Sequence, residues 1–579
     1  MNAATSSLLV AAVVAAGLAA VPTEAAAAEP TAHRVVNDGG ILITLSTPRA
    51  TTRVSGAGGT GWDFDGDGID DLAAVAVKGV RADPNAPRAV VPGRRDGETL
   101  SGPVVVRYSS APRQDVVFAV WPPSRGGGAM AFGQALGAGD VNGDGFDDLV
   151  IGDDDDAPQG RDALQGAGAV WVVLGSRDGL QLTGARHFGQ DTAGVPGKAE
   201  QGDWFGSSVA VGDLDADGFD DVAVGAHGED VGRRFDAGAV TVLYGSRSGI
   251  TAKRSRTLTQ DTPGIPGTAE KDDYFGSAVA IGRVGGDRYA DLVVGARGEN
   301  SRGSVITVCA STCTGGTGAV SLLRGGPDGI RTSGAVTLGG AALARSALRA
   351  RAMPAGTFLW RVGNRVAVGD LDGDRRGDVV VAASAAQSAA AEDYVGAVVA
   401  VSGSRTGLDS RKVRAITRDT PGVPGGTQSA EWFGRSLAVG DVTGDGRADV
   451  VVGSDRRVGK LAEAGAITIL RGSSTGLTGA RALYVTQNTP GVPGGAESGD
   501  RFGAGVRVLS LDGRGRLDIA VSAPGERLPS DPVRGDGSGT VTALTMRGSA
   551  LQPLWQVGGR EFVVPGAVNG IERLHLGGY

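Results

Sequence analysis

The strongest constraint on this chain is an internal repeat that returns roughly every 70 residues. Each copy centres on a nine-residue segment rich in aspartate, of which DLDADGFDD at 213–221 is the clearest. The seven copies begin at residues 63, 140, 213, 283, 370, 441 and 510. A repeat of this period indicates one supersecondary unit used seven times.

Other elements keep a constant register with the aspartate segments. A Phe-Gly pair lies eight residues before the segment in five units and is missing from units one and five; the pairs begin at Phe132, Phe205, Phe275, Phe433 and Phe502. A glycine-led strand follows each segment, as in GAVTVLYGSRSGI at 238–250. A loop rich in Pro and Gly precedes most Phe-Gly pairs; these PG loops lie at 191–197, 261–267, 419–425 and 488–494.

Each unit therefore holds about four strand-type stretches, and one helix is predicted, as an insertion, over 341–353. This pattern predicts an all-β fold, a seven-bladed β-propeller with four-stranded blades. A parallel β-helix has much shorter repeats, and an array of sandwiches needs about 100 residues per domain. The C-terminal stretch 564–579 resembles the start of a PG loop and Phe-Gly unit, so we expect it to supply the innermost strand of the first blade.

The first 28 residues are predicted to be a cleaved export signal. Residues 8–21 form an apolar run and a small-residue pattern precedes Glu29, although no Lys or Arg precedes the run. A membrane anchor is the alternative, but about 20 apolar residues are needed to span a bilayer. The expected mature chain, 29–579, is then a single secreted propeller, expected to be a monomer with no membrane span. The net charge of −8 of the full chain argues against nucleic acid as a partner.

Only two cysteines occur, Cys309 and Cys313. In an exported protein this spacing favours a local disulfide, with free thiols as the alternative. A metal site is less favoured, because there is no second cysteine pair and no histidine nearby.

The aspartate segments predict calcium sites. Side chains at positions 1, 3, 5 and 9 of a tight loop can converge on one point, and Gly218 at position 6 turns the chain at positive φ. Carboxylates held so close repel one another, and a hard cation with oxygen ligands removes the repulsion. The flanks are strands and position 12 is Val224, so the segment is not an EF-hand. Plain Asp/Gly turns are the alternative.

Four loops are predicted to bind calcium. Their ligands are Asp63, Asp65, Asp67 and Asp71; Asp140, Asn142, Asp144 and Asp148; Asp213, Asp215, Asp217 and Asp221; and Asp441, Thr443, Asp445 and Asp449. The sequence leaves a fifth site open, where Arg375 replaces the glycine among Asp370, Asp372, Asp374 and Asp378. The loops at 283–291 and 510–518 are predicted to lack metal, because arginines replace key positions and could neutralise the remaining aspartates.

The combined pattern of Phe-Gly, aspartate loop, VGA or SAP and GAVxVxxG resembles the FG-GAP repeats of the integrin α-chain N-terminal propeller and its bacterial secreted relatives. The resemblance covers roughly residues 55–579. It implies a seven-bladed propeller with calcium loops on one face and ligand-binding loops on the opposite face, where the PG loops are the candidates. The departures are the missing Phe-Gly pairs and the two degenerate loops.

We therefore predict a calcium-stabilised extracellular binding or adhesion module whose ligand is a protein or a polysaccharide. The alternative is a calcium-dependent carbohydrate-active enzyme, a lyase or hydrolase, with its site on the propeller face. No catalytic residue is predicted: His227 is expected in a solvated loop, and GSSTG at 472–476 is a turn repeated in other units. Trp204, Tyr274 and Trp432 are expected to pack between blades rather than to contact ligand.

Overall fold

The computed structural model describes most of the seven repeats and shows an almost purely β chain. The described residues are 31–37, 40–47, 61–78, 80–81, 99–100, 104–109, 115–121, 132–157, 164–300, 316–349, 358–387, 395–428, 431–528, 537–559 and 572–576. The predicted export signal and the two cysteines lie outside these residues.

Seven antiparallel sheets follow one another along the chain, one for each repeat. The first sheet has six strands: β1 (Thr31–Asn37), β2 (Gly40–Thr47), β3 (Leu72–Lys78), β6 (Val104–Arg107), β7 (Asp115–Trp121) and β32 (Glu572–His575). A separate small ribbon pairs β4 (Val80–Arg81) with β5 (Thr99–Leu100).

The other six sheets have four strands each and run in sequence order from the ring axis outwards. Blade two comprises β8 (Phe132–Gly139), β9 (Asp148–Asp153), β10 (Ala169–Leu174) and β11 (Gln181–Gly189). Blade three comprises β12 (Phe205–Gly212), β13 (Asp221–Ala226), β14 (Ala239–Tyr244) and β15 (Thr251–Leu258). Blade four comprises β16 (Phe275–Gly282), β17 (Asp291–Ala296), β18 (Ala319–Arg324) and β19 (Arg331–Gly339).

The last three blades repeat this order. Blade five comprises β20 (Phe358–Gly369), β21 (Asp378–Gln387), β22 (Ala397–Ser404) and β23 (Gly407–Ile416). Blade six comprises β24 (Leu437–Gly440), β25 (Asp449–Ser454), β26 (Ala466–Arg471) and β27 (Thr478–Val485). Blade seven comprises β28 (Val506–Leu509), β29 (Asp518–Ala523), β30 (Thr540–Arg547) and β31 (Ala550–Gly558). The prediction of a seven-bladed propeller is confirmed.

The two middle strands of each blade carry the core. In blade three, β13 and β14 are buried along their whole length, and Val224 pairs with Thr241 across them. Both faces of these strands pack against neighbouring blades, which is why their sequences are nearly continuous runs of Val, Ala and Leu.

Glycine and phenylalanine join one blade to the next. Phe275 N donates a hydrogen bond to Ala237 O at 2.9 Å, and the adjacent Gly238 has φ +85°. A Cβ on Gly238 would lie 2.2 Å from Phe275 O, so the repeated glycine leaves room for the next blade's backbone. In unit five Val362 takes the place of the phenylalanine, since its N donates to Thr317 O at 3.1 Å.

The C-terminal strand closes the ring, as predicted. Strand β32 pairs with β3, with His575 opposite Val75, and so provides the innermost strand of blade one. Leu574 N donates to Ser538 O at 3.1 Å, the same bond that a phenylalanine makes at other blade junctions. Leu574 is thus the counterpart of the Phe-Gly phenylalanine that unit one lacks.

The predicted helical insertion is also confirmed in its described part, and residues 350–353 of the prediction lie outside the described residues. Helix α1 (Gly340–Arg349) lies between β19 and β20, and its buried Leu343, Ala344 and Ala347 pack against the core between blades four and five. In the described part of the chain, no helix combines the length and the apolar character that a membrane crossing requires.

Candidate metal centres

The aspartate loops and the PG loops lie on opposite faces of the ring. In blade three the loop at 213–221 joins the end of β12 to the start of β13. The PG loop at 191–197 instead follows β11 and leads into the start of β12. Because β12 runs from one face to the other, these two loops cap opposite ends of the blades.

Side chains within each aspartate loop fold it around its own backbone. The Asp213 carboxylate accepts hydrogen bonds from Asp217 N and Gly218 N, both at 3.2 Å. Asp217 in turn accepts one from Phe219 N at 3.1 Å. Gly218 has φ +89°, which favours glycine there. The same bonds recur in the loops that begin at 63, 140 and 441.

The aspartate at position nine has a structural role that the sequence did not reveal. Asp221 is 1% exposed and accepts hydrogen bonds from Leu214 N at 3.1 Å and from Gly245 N at 2.9 Å. It thereby ties the loop to the turn that follows β14. Asp291, in a loop predicted to lack metal, accepts the equivalent bonds from Val284 N and Gly325 N. This aspartate therefore has a use that does not depend on metal.

Three loops bring three carboxylates close enough to share a cation, those at 63–71, 213–221 and 370–378. Oxygens of Asp63, Asp65 and Asp71 lie within 4.8 Å of one another, and so do those of Asp213, Asp215 and Asp221. Within the described structure, the buried Oδ1 of Asp215 has no hydrogen-bond partner. Its Oδ2 lies 2.8 Å from Nη2 of Arg254, whose side chain is half-exposed. These groups fit a hard cation with oxygen ligands.

The raised pKa values of the position-nine aspartates also favour a cation in these loops. Burial above all, together with the neighbouring loop aspartates, raises the pKa of Asp148 and of Asp221 to about 8, although backbone hydrogen bonds to each carboxylate lower it. Burial likewise raises the pKa of Asp71 well above its usual value. A cation at the centre of the loop would relieve this repulsion.

The loops at 140–148 and 441–449 keep the shape with a neutral residue at position three. Asn142 Nδ2 donates to Asp144 Oδ2 at 2.9 Å. In the second loop, Arg471 from the end of β26 approaches Asp449, with Nη1 3.8 Å from Oδ2.

The loop at 370–378 is compromised at two places. Asp370, Asp372 and Asp374 lie within 4.8 Å of one another. However, Arg375 at the glycine position has φ +68°, and Arg376 Nη1 lies 2.7 Å from Asp374 Oδ2.

In the loop at 283–291 the neutralising arginine comes from outside the loop. Arg324, on β18, places Nε 3.0 Å from Asp291 Oδ1 and Nη2 3.2 Å from Asp287 Oδ2. The expectation that a loop arginine neutralises these aspartates is therefore wrong for this loop. The sequence did contain a sign of this pairing, because Arg324 ends β18 at the position where Tyr244 ends β14 in blade three.

In the loop at 510–518 the neutralising arginine lies within the loop, since Arg514 Nε is 3.6 Å from Asp512 Oδ2.

A further aspartate links successive loops around the ring. Asp147 accepts a hydrogen bond from Asp63 N at 2.9 Å, and Asp220 accepts one from Asp140 N at 3.0 Å. These position-eight aspartates were not among the predicted site residues, and the doubled Asp-Asp at positions eight and nine was the signal. The loops at 140–148 and 213–221 therefore each support the loop of the preceding blade.

On the PG-loop face, the environment of His227 differs from the predicted solvated loop. This histidine is 8% exposed, and its Nδ1 lies 2.8 Å from Ser207 Oγ, so it is not in a solvated loop. Trp204 packs edge-on against it, with ring centroids 4.7 Å apart, and reaches back to Gly166 of the preceding blade. Trp204 thus lies at a blade junction but remains 41% exposed. A cavity of about 780 Å³ runs along the axis, and Arg297 lines it with these residues.

Comparison with known proteins agrees with this architecture. The FG-GAP repeat family matches residues 132–173, 205–243 and 433–470. The chain is an integrin-α-like FG-GAP β-propeller. Integrin alpha-5 of Xenopus laevis is 36% identical to it over 183 residues, which cover 30% of this chain and 15% of that protein. Integrin alpha pat-2 of Caenorhabditis briggsae is 32% identical over 271 residues, which cover 45% of this chain and 19% of that protein.

The matched region is less than a fifth of each of these relatives, so the likeness of the FG-GAP propeller to them is local. Among solved structures, a rhamnogalacturonan lyase of Bacillus licheniformis aligns over 91% of this chain and 68% of its own. Its TM-score is 0.30 at 12% identity, too low to support an argument about function.

Proposed function

We propose that this FG-GAP propeller is a secreted, calcium-binding module that binds an extracellular ligand and serves adhesion. Residues 1–28 would be the cleaved export signal and 29–579 the mature propeller, acting as a monomer. The ligand would be a protein or a polysaccharide. The observation that carries the calcium assignment is the grouping of Asp213, Asp215 and Asp221 with a buried, unpartnered oxygen on Asp215 among the described residues.

Four loops would hold the ions. The ligands would be the side chains at positions one, three, five and nine of the loops at 63–71, 140–148, 213–221 and 441–449. The loop at 370–378 is left out of the four because Arg375 replaces the turn glycine at φ +68° and Arg376, from within the loop, is paired with Asp374. The ion would neutralise the loop carboxylates and so stabilise the link between the first and second strands.

The stabilisation expected from such sites is substantial. Extracellular calcium sites bind with Kd values of about 10⁻⁴–10⁻³ M. At ~10 mM calcium each occupied site would stabilise the fold by about 1.4–2.7 kcal/mol by mass action.

The binding role can be tested on an array of polysaccharides and extracellular matrix proteins, probed with the purified 29–579 chain in calcium and in EDTA. Calcium-dependent retention without product release supports a binding module. Release of oligosaccharide products from a retained polysaccharide would instead support the enzyme alternative. Failure to retain any probe, in a protein that still gains stability from calcium, would contradict the binding role and leave the metal assignment intact.

A further inference from the structure

Residues on the PG-loop face form a second set of acidic clusters. In the first cluster, Gln190 follows β11 and its Nε2 donates to Glu229 Oε2. Glu229 lies just beyond β13, and the N of the preceding Gly228 donates to the main-chain O of Asp203 at 3.1 Å. Asp203 is 2% exposed and its Oδ2 accepts from Glu200 N at 2.7 Å.

The same arrangement occurs twice more. Gln260 donates to Glu299, and Gln487 donates to Glu526. The residues before these glutamates, Gly298 and Gly525, donate to the main-chain oxygens of Asp273 at 3.0 Å and Asp500 at 3.1 Å. We call these three sets the glutamine clusters.

Each glutamine cluster contains a buried oxygen that lacks a hydrogen-bond partner within the described structure. Gln190, Gln260 and Gln487 are 2–3% exposed, and Oε1 of each is unpartnered. Oδ1 of the fully buried Asp273 is unpartnered as well. The glutamate fixes the amide orientation, because the reverse orientation would place two acceptors together. Oε1 is bonded to the same amide carbon, so a buried acceptor without a partner in the described structure lies within each cluster.

A fourth copy of this arrangement carries its own cations. Arg418 stands at the glutamine register, Glu431 at the aspartate register and Arg456 at the glutamate register. Arg418 Nε donates to Glu431 Oε1 at 2.9 Å, and Arg456 Nη1 lies 3.6 Å from Glu431 Oε2. Arg418 Nη1 also donates to Pro424 O of the PG loop at 3.1 Å. We call this set the arginine cluster.

The two kinds of cluster differ in charge. Each glutamine cluster contains an aspartate and a glutamate, and the glutamate is the first charged neighbour that raises the pKa of Asp203 and of Asp273, whereas two guanidinium groups flank one carboxylate in the arginine cluster. The charged neighbours that raise the pKa of Asp203, after burial, are all acidic: Glu229, Glu200 and Asp230. A buried charge of this kind requires compensation, and the arginine cluster shows where the fold puts a positive charge.

We propose that each glutamine cluster binds a divalent cation of the calcium class through the amide oxygen, the aspartate and the glutamate, with water completing the shell. These ligands are oxygens, as calcium prefers. The ion would join the end of one blade's fourth strand, the PG loop and the link between the second and third strands of the next blade. It would thereby hold the PG loop in place, as Arg418 does in the arginine cluster.

The direct test is a crystal of the 29–579 chain grown in MnCl₂ and measured for anomalous scattering of manganese. We expect a peak between the glutamine, aspartate and glutamate of all three glutamine clusters and no peak at the arginine cluster. Glutamine clusters without peaks at saturating manganese would overturn the proposal, whatever the aspartate loops show. Peaks in the aspartate loops test the proposed function separately.

A solution experiment uses equilibrium dialysis against radioactive calcium to count bound ions. The triple variant Asp203→Asn, Asp273→Asn, Asp500→Asn should bind three fewer ions than the unaltered chain. The single variant Asp273→Asn, which removes one charge where the triple variant removes three, should bind one ion fewer than the unaltered chain. Glu431→Gln in the arginine cluster is the matched control and should leave the count unchanged. An equal count in the Asp273→Asn variant would overturn the proposal.

Discussion

The carboxylate of Asp70 accepts a hydrogen bond from the backbone N of Ser510 at 2.7 Å, although 440 residues separate them in the chain. Asp70 N returns a hydrogen bond to Ser510 O at 2.9 Å. The pair joins the aspartate loop of the first blade to that of the last, as Asp147 and Asp220 join other neighbouring loops. The ring is therefore closed twice, by strand β32 near the axis and by Asp70 on the aspartate-loop face.

Replacement of Asp70 should test this closure. Asp70→Ala leaves Ser510 N buried without its acceptor, and we expect a loss of about 1–3 kcal/mol in the free energy of unfolding. Asp70→Asn keeps an acceptor oxygen and should lose less. Urea denaturation followed by circular dichroism measures both. Equal stability of Asp70→Ala and the unaltered chain would mean that the bond contributes nothing to closure.

The blade-joining glycines should be far less tolerant than other glycines at positive φ. Gly238→Ala places a Cβ 2.2 Å from Phe275 O, whereas Gly232, at φ +69°, has open space around its Cβ direction. We expect Gly232→Ala to cost about 1–2 kcal/mol, from left-handed backbone strain alone. Gly238→Ala should cost clearly more, because the backbone of the next blade must move. Similar melting temperatures for the two variants would contradict this explanation of the repeated glycine.

Arg324 should be essential to the metal-free loop. Arg324→Met leaves Asp287 and Asp291 without their cation, and removal of one partner of a buried pair typically costs about 3–5 kcal/mol. Arg288→Ala, which removes an exposed arginine of the same loop, is the matched control and should have little effect. The double variant Arg324→Met, Asp291→Asn should recover part of the loss. If Arg288→Ala destabilises the protein as much as Arg324→Met does, Arg324 is not the residue that neutralises Asp287 and Asp291.

Stability without calcium should fall as the pH rises. Burial and nearby carboxylates raise the pKa of Asp148 and Asp221 from 3.8 to about 8 in the folded chain. Since folding favours their protonated forms, their contribution is full below the unfolded pKa and is lost as the pH rises through about 8. We expect the chain in EDTA to melt at a lower temperature at pH 8 than at pH 5. Calcium should remove this difference, because the ion replaces the proton. A melting temperature in EDTA that rises between pH 5 and pH 8 would be incompatible with these shifts.

The sequence predicted the blades and the aspartate loops because both depend on local residues. A loop such as 213–221 contains its own turn glycine and its own backbone acceptors, so nine residues suffice to recognise it. Closure by Asp70 and the neutralising role of Arg324 depend on contacts between distant parts of the chain, so the repeat can mark these residues as departures from the pattern but cannot identify their partners. The burial of His227 likewise depends on Ser207 and Trp204, which precede it by about twenty residues. Strands β1 and β2 extend the first blade outside the repeat and could not be inferred from it.

The most direct test of the account compares the calcium response of Asp213→Asn with that of Asp287→Asn. Asp213 lies in a proposed calcium loop, and Asp287 lies in the loop that Arg324 neutralises. The free energy of unfolding should be measured at pH 8 in EDTA and at ~10 mM calcium. We predict that the calcium-induced gain falls by about 1.4–2.7 kcal/mol in Asp213→Asn, the share of one site, and is unchanged in Asp287→Asn. A full calcium-induced gain in Asp213→Asn would contradict the assignment of calcium to the aspartate loops.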